Sequence, residues 1–400
     1  QPRLLFIDAY LPMADKGSGG VDAMAYLEYF LAKGFQPVFY AHHHNNYFEK
    51  YTQELERIGV EVIQDNFKGL DSILKERATE FTLVFVSRFY QMDHFHAQIL
   101  RHLCHANVIY NTVDLHYLRE GREAQHSGTA DPGSIESLKK KELGYIARAD
   151  ASIVISAHEF SILKNEMPST ETIHHIPQYR QFIGTSITYA ERRGFVFIGS
   201  AHNPNVDALR YFQKEIHPCL IERLPDYELV VIGKELYDSL SASRDRDLLA
   251  NSHIHFTGYV EDVTLLFNCA ICMVAPLRYG SGIKGKIVQS IQHALPCVTT
   301  TIGAEGLELP GHSTVVVADT PAEMADALQA FATRPELWAK ASSMAEPIFE
   351  ARFSKQIFSR RLDILMAQLQ QISEPDLSSS SIGRHGIGKA SRIIVRDFTL

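Results

Sequence analysis

The chain has 400 residues, which is too long for one ordinary domain, since about 150 residues per domain would give two or three. Its composition, 45% hydrophobic and 22% charged, is typical of a soluble globular enzyme and excludes a disordered or collagen-like protein. The net charge of −8 gives no global attraction for nucleic acid or anionic lipid, so no nucleic-acid partner is expected and any phosphate site must be local. No apolar run approaches the ~18–20 residues needed for a transmembrane segment.

The five cysteines are odd in number and scattered, which favours reduced thiols and a cytoplasmic location. Cys269 and Cys272 form a C-x-x-C inside the apolar run 267–276, which is predicted to be a buried strand. No second pair completes a zinc site, so both are expected to be buried packing thiols.

In the first half of the chain, short apolar runs alternate with amphipathic segments, as in a doubly wound parallel sheet. The helix Val21–Lys33 lies between the first two strands and is ended by Gly34. The predicted strands are Leu4–Asp8, Pro37–Tyr40, Val60–Ile63, Leu83–Ser87, Val108–Val113 and Ser152–Ser156.

The same pattern restarts after a polar stretch, Gly184–Arg193, with helices predicted at Val206–Glu215, Ile283–Leu295 and Ala322–Ala332. The predicted strands are Phe195–Ile198, Glu228–Ile232, His255–Thr257, Ile271–Ala275, Cys297–Thr300 and Thr314–Val317. We therefore predict an α/β protein with two Rossmann-like domains, residues 1–185 and 186–350. A helix at 351–372 is expected to cross back to the first domain, and 373–400 to be a flexible Ser/Gly-rich tail.

The strongest site signal is the segment 275–286, in which a strand end is followed by Gly280-Ser281-Gly282 and then a helix. Such a turn exposes backbone N–H groups at a helix N-terminus and suits an anion such as a diphosphate. Arg278, Lys284 and Lys286 are expected to bring three cations to it, and Gln289, one turn further, to reach a ribose. The alternative is a solvated basic first turn.

Two weaker signals lie in the first half. The glycine-rich segment Lys16–Gly20 follows the first strand, where Gly19 and Gly20 would allow close approach of a ligand, although a tight structural turn fits equally well. The polar segment Asn111–His116 follows another strand, at the sheet edge where α/β proteins bind ligands. His116 is a candidate for substrate hydrogen bonding or proton transfer, with a structural histidine as the alternative.

Several segments together resemble the GT-B glycosyltransferases of family 4. In the second half these are Phe195–Ser200, Asn203–Ala208, Gly258-Tyr259-Val260, Pro276–Lys286 and Ile302–Leu307. In the first half, Asp114–Glu120 resembles the acceptor domain of a subgroup from bacterial surface-polysaccharide enzymes.

The resemblance implies retaining transfer of a sugar from a nucleotide-diphosphate donor to a glycan or lipid-linked acceptor, in a cleft between the domains. No metal or other cofactor is implied, and peripheral contact with the inner face of the membrane is compatible with it. His116, Arg278 and Lys286 are the candidate catalytic residues. The candidate donor-binding residues are Gly19, Gly20, Gly199, Gly258, Tyr259, Val260, Gly280, Ser281, Gly282, Lys284, Gln289 and Glu305.

The sequence also departs from the family pattern. The usual pair of glutamates, separated by seven residues, falls on Ser281 and Gln289, and neither is acidic. A glutamine can still hydrogen-bond ribose hydroxyls, whereas a serine cannot replace a carboxylate. Two alternatives therefore remain, a nucleotide-sugar 2-epimerase of the same architecture and a non-catalytic nucleotide-sugar-binding module.

Two further motifs resemble metal-binding sequences but are not expected to bind a metal. Asp245-Arg246-Asp247 spells the D-x-D of metal-dependent glycosyltransferases, but it lies in a polar stretch and is expected to be solvated surface. The run His42-His43-His44 lacks partner ligands at suitable spacing and is expected to be a polar loop, with acceptor contact as the alternative.

Overall fold

The computed structural model describes residues 1–15, 17–43, 49–63, 69–233, 235–242, 245–310 and 313–373. The first sheet has seven strands in the order β3-β2-β1-β4-β5-β6-β7, and every pairing is parallel. Its strands are β1 Arg3–Asp8, β2 Gln36–Ala41, β3 Glu61–Val62, β4 Phe81–Ser87, β5 Asn107–Asn111, β6 Ala151–Val154 and β7 Ile173–His175. The seventh strand is missing from the sequence prediction, because two of its three residues are histidines and it shows no apolar run.

The second sheet has six parallel strands in the order β10-β9-β8-β11-β12-β13. They are β8 Phe195–Ile198, β9 Leu229–Ile232, β10 Ile254–Gly258, β11 Cys272–Ala275, β12 Cys297–Thr299 and β13 Val315–Val317. In both sheets the chain winds outwards from the centre in two directions, which creates a ligand-binding switch point beside the first strand. The predicted fold class, two Rossmann-like α/β domains, is confirmed.

Helices cover both faces of each sheet. In the first domain they are α1 Ser18–Ala32, α2 Glu49–Arg57, α3 Gly69–Arg77, α4 Phe89–His102, α5 His116–Ser127, α6 Pro132–Arg148 and α7 Ala157–Glu166. The next are α8 Asn203–Tyr211, α9 His217–Arg223, α10 Leu236–Ala242, α11 Arg246–Leu249, α12 Thr264–Cys269, α13 Gly285–Gln292, α14 Thr301–Ala304, α15 Pro321–Thr333, α16 Pro335–Ser343, α17 Ala345–Phe353 and α18 Lys355–Ser373.

A π-helical segment, Phe212–Ile216, joins α8 to α9, so the helix predicted at 206–215 extends through Arg223. Short 3-10 turns occur at Ala78–Glu80 and Tyr189–Glu191. The prediction that both cysteines of the C-x-x-C are buried is wrong for Cys269. Cys272 is buried in β11, but Cys269 ends α12 and is exposed.

The last helix packs on the first domain rather than the second. Its apolar stripe, Phe358, Leu362, Leu365 and Leu369, is buried in the same core as Leu4 and Phe6 of β1. The phenol of Tyr29 on α1 donates a hydrogen bond to Asp363 at 2.6 Å. The helix α17 just before it belongs to the core of the second domain, so the end of the chain links the two domains. The predicted tail beyond residue 373 lies outside the described residues, as do Lys16 and His44.

Candidate functional site

A cavity of 650 Å³ lies between the two domains at the carboxyl ends of both sheets. The N-termini of α1 and α13 both line it, represented by Ser18 and by Gly285 with Lys286. Their partial positive charges point into the same space, an arrangement that favours an anionic ligand. Of the predicted site residues, the cavity is lined by the donor-binding candidates Gly199, Tyr259, Val260 and Gln289 and by the catalytic candidate Lys286.

The two helix N-termini approach so closely that only glycine fits at position 285. A methyl group there would lie 2.6 Å from the hydroxyl oxygen of Ser18. Ser18 is itself held by Arg180, whose guanidinium donates to the hydroxyl at 2.6 Å and to Asp22 at 2.6 Å. Sequence reasoning missed Ser18 and Arg180, because they lie 162 residues apart and no local pattern shows that they meet.

Gly19 and Gly20 serve the packing of α1 and do not line the cavity. A side chain at Gly20 would collide with the backbone of Met13, at 2.4 Å from its carbonyl oxygen. A side chain at Gly19 would lie 2.7 Å from a guanidinium nitrogen of Arg88, which is paired with the buried Asp8 at 2.7 Å. The structural alternative for this segment therefore accounts for both glycines.

Of the three predicted cations, Lys286 is the one that lines the cavity. Its ammonium group donates to Asn205 Oδ1 at 2.5 Å and lies 4.3 Å from the centre of the Phe197 ring. Burial lowers the pKa of Lys286 to about 7. No acidic side chain contacts this nitrogen within the described residues, so a bound anion would supply its missing countercharge.

Arg278 does not join Lys286, which corrects the expected convergence of three cations. Its guanidinium pairs with Asp207 on α8, with one N–H···O bond of 2.9 Å, and lies 4.8 Å from the centre of the Tyr211 ring. The side chain is 38% exposed, and it does not line the cavity. The sequence spacing would have allowed Arg278 and Lys286 to bind the same anion. In the structure Arg278 instead pairs with the carboxylate of Asp207.

Lys284 also turns away from the cavity. Its ammonium group donates to the carbonyl oxygen of Gly282 at 3.0 Å and lies 3.8 Å from Glu305. Glu305 in turn accepts two hydrogen bonds from Arg122 of the first domain, at 2.6 and 2.9 Å. The Arg122 guanidinium and Lys284 oppose the effect of burial and hold the pKa of Glu305 below its usual value. Both predicted donor contacts are thus engaged in an ion-pair cluster between the domains.

The Gly280–Gly282 turn is likewise occupied by protein groups. The amide of Gly282 donates to the carboxylate of Glu159 at 2.6 Å, and the hydroxyl of Ser281 donates to Asp114 at 2.5 Å. None of the three turn residues lines the cavity. The Gly282 amide is therefore already hydrogen-bonded to the first domain, and diphosphate binding by this turn stays a prediction.

His116 is buried at the start of α5, 4% exposed. Its Nε2 accepts from Arg119 at 2.6 Å, and the ring lies against Phe89 and Tyr90. Burial lowers the pKa of His116 to about 4, so the ring is neutral at pH 7. Its Nδ1 lies 3.6 Å from Asp114, at too long a distance for a hydrogen bond. Proton transfer by His116 stays a prediction, and in this geometry Arg119, which also donates to Asp114 at 2.7 Å, links the ring to that carboxylate.

Three more predicted donor-binding residues lie in turns at the carboxyl ends of the second sheet's strands or just after them. Tyr259 donates to the Asp15 carboxylate at 3.2 Å, across the cleft. Gly258 has a left-handed φ of 72° and its carbonyl accepts from Gly233. A side chain at Gly199 would lie 2.8 Å from the Asn205 amide. Gly199 thus lets the end of β8 pack closely against α8, and Gly258 allows a left-handed turn at the end of β10.

The residues of the two metal-like motifs make other contacts in the structure. Asp245 accepts two hydrogen bonds from Arg210 Nε, each at 3.0 Å, which explains it as a surface ion pair. His42 lies 2.8 Å from Gln91 and its ring stacks on His43. Among the residues that the structure describes, no three His, Cys, Asp or Glu side chains are grouped as a metal site. The same part of the chain contains no helix that is both long and apolar enough to span a bilayer.

Residues 192–334 match the model of a family described as Glycosyl transferases group 1. Among solved structures, the sucrose-phosphate synthase of Thermosynechococcus elongatus is 14% identical, with a TM-score of 0.69 over 92% of this chain and 99% of that one. The Anabaena protein HepE, in complex with UDP-glucose, is 14% identical, with a TM-score of 0.67 over 92% and 100%. The lipopolysaccharide outer core galactosyltransferase WaaB is 10% identical, with a TM-score of 0.58 over 92% and 99%.

A comparison with curated protein sequences finds no match. At these identities the structural likeness shows the fold alone, which is GT-B. On this fold, the match of residues 192–334 to the group 1 family supports a glycosyltransferase.

Proposed function

We propose that the chain is a retaining, metal-independent glycosyltransferase that transfers a hexosyl or deoxyhexosyl group from a nucleotide-diphosphate sugar to a glycan or lipid-linked acceptor. The observation that carries the proposal is the interdomain cavity, in which two helix N-termini and Lys286 face one space. A nucleotide diphosphate carries the negative charge that complements Lys286 and the two helix N-termini. A role in cell-surface polysaccharide assembly is favoured by the likeness to a lipopolysaccharide galactosyltransferase.

The chemistry of the lining supports the following position for the donor. The diphosphate lies against the α13 N-terminus, where Gly285 allows close approach and Lys286 supplies charge. Gln289, one helical turn further, offers an amide to the ribose hydroxyls. The base lies near Tyr259 and Val260, and the sugar extends towards the first domain.

The reaction depends on electrostatic stabilisation of the leaving group. As the bond from sugar to phosphate breaks, negative charge grows on the nucleotide diphosphate, and the α13 amides and Lys286 are already oriented towards it. An acceptor hydroxyl attacks from the face that the nucleotide leaves, which preserves the anomeric configuration. The proposed place of action is the cytoplasm, at the inner face of the membrane, where a lipid-linked acceptor would be presented.

The test is a turnover assay with UDP-, GDP- and dTDP-sugars, lipid-linked and free glycan acceptors, and EDTA in a parallel series. We expect transfer from one donor class, unaffected by EDTA, and a product of the donor's anomeric configuration by NMR. Interconversion of the donor with its 2-epimer would show an epimerase instead. Tight donor binding without turnover on any acceptor would favour a non-catalytic module.

A further inference from the structure

The Gly280–Gly282 turn of the second domain is held, residue by residue, by side chains of the first domain. The guanidinium of Arg122 donates to the carbonyl oxygen of Gly280 at 2.7 Å. The hydroxyl of Ser281 donates to Asp114, and the amide of Gly282 donates to Glu159. These partners come from α5, from the loop before it and from α7, so three separate elements meet on one turn.

Glu159 is the most deeply buried of these partners. It is 0% exposed, and its Oε2 has no hydrogen-bond partner among the described residues. A buried carboxylate is costly unless it is hydrogen-bonded. Its short bond to Gly282 exists only when the two domains are together, so Glu159 stabilises the closed arrangement.

The turn is also shaped to fit these partners. Gly280 and Gly282 have φ values of 141° and 64°, in the region that favours glycine. A methyl group at Gly282 would lie 3.0 Å from Cβ of Asp114. The sequence predicted that this turn binds phosphate. In the structure, its backbone conformation and its neighbours fit contact with the first domain.

We propose that Arg122, Asp114 and Glu159 form an interdomain latch on the Gly280–Gly282 turn. Glu159 is its central positioning residue, and the latch fixes the α13 N-terminus opposite α1. Gly285 begins the helix only three residues after Gly282, so holding the turn holds the cavity wall. The consequence for donor use rests on the proposed function, whereas the latch itself is a property of the ligand-free chain.

The first test is amide hydrogen exchange without ligand, on peptides covering residues 278–286. Glu159→Leu removes both acceptor oxygens at similar size, and exchange at the turn should be about tenfold faster, as expected when one amide loses its partner. Glu159→Gln keeps a carbonyl oxygen and should exchange like wild type. Leu163→Ala, on the same helix but in the core, should lower the melting temperature without changing exchange at the turn.

Arg122→Met serves as a second variant should Glu159→Leu fail to fold, and it should also accelerate exchange at the turn. Wild-type exchange in the folded Leu or Met variant overturns the latch. The second readout is donor use, in which Glu159→Leu should raise the KM for the nucleotide sugar about tenfold and Glu159→Gln should restore it. Wild-type chain that binds no nucleotide sugar, combined with faster exchange in the variants, supports the latch and rejects the proposed function.

Discussion

At the scale of single residues, Lys286 and Arg278 differ in environment although both lie in one basic segment. Lys286 lines the cavity, and Arg278 is paired with Asp207 outside it. We expect Lys286→Ala to lower kcat/KM by about 30- to 1000-fold, since losing one charge partner of a developing anion costs roughly 2–4 kcal/mol. Arg278→Ala should stay within about threefold of wild type. If steady-state kinetics show equal losses of kcat/KM in the two variants, Arg278 and Lys286 act on the same anion, as the sequence predicted.

The lowered pKa of Lys286 predicts a pH dependence of donor binding. In the free protein this pKa is about 7, so the ammonium form is lost as pH rises through 7. A bound diphosphate favours the charged form and raises the pKa, so binding at pH 8 takes up a proton and weakens as pH increases. Calorimetry in two buffers of different ionisation enthalpy would detect the uptake. Lys286→Ala should abolish it, and an unchanged uptake in that variant would assign the proton to another group.

Gln289 carries the prediction about the ribose. It lines the cavity on the same helix as Lys286. Gln289→Glu should retain nucleotide affinity, because a carboxylate can accept from both ribose hydroxyls. Gln289→Leu should weaken it about five- to a hundredfold, the result of a buried hydroxyl without a partner, roughly 1–3 kcal/mol. Calorimetry with the preferred nucleotide diphosphate decides, and wild-type affinity in the Leu variant would remove Gln289 from the ribose site.

At the scale of elements, the contact between the N-termini of α1 and α13 controls the width of the cavity. Gly285→Ala places a methyl group 2.6 Å from the Ser18 hydroxyl, so the helices must separate. We expect a donor KM raised about tenfold, since loss of near-contact geometry weakens every phosphate interaction. Ser18→Gly combined with Gly285→Ala removes the clash and should recover most of the affinity. Failure of the double variant to recover would place the defect within α13 alone.

At the scale of the whole molecule, the final helix makes the first domain depend on the end of the chain. Leu362 is 0% exposed in the core that contains β1, and Ile364 on the same helix is 53% exposed. Leu362→Ala should lower the free energy of unfolding by about 2–5 kcal/mol, and Ile364→Ala by less than about 0.5. Denaturant unfolding followed by circular dichroism measures both. A small effect at Leu362 would mean that the first domain is stable without this helix.

The sequence by itself determined the two sheets. Buried parallel strands are apolar along their whole length, so each long strand, such as β4 or β8, was visible without knowledge of its neighbours. Helices with one apolar stripe, such as α18, were visible for the same reason. The position of Lys286 and Gln289 on one helix followed from local spacing, and the cavity contains both.

Only the tertiary structure decided which polar groups are free to bind a ligand. Hydrogen bonding and ion pairing depend on what lies opposite, and the partners of Gly282 and Arg278 are 123 and 71 residues away in the chain. No local pattern reveals that Glu159 occupies the turn or that Asp207 holds Arg278. Short segments such as β7 were decided the same way, because pairing with β6 and not their own composition makes them strands.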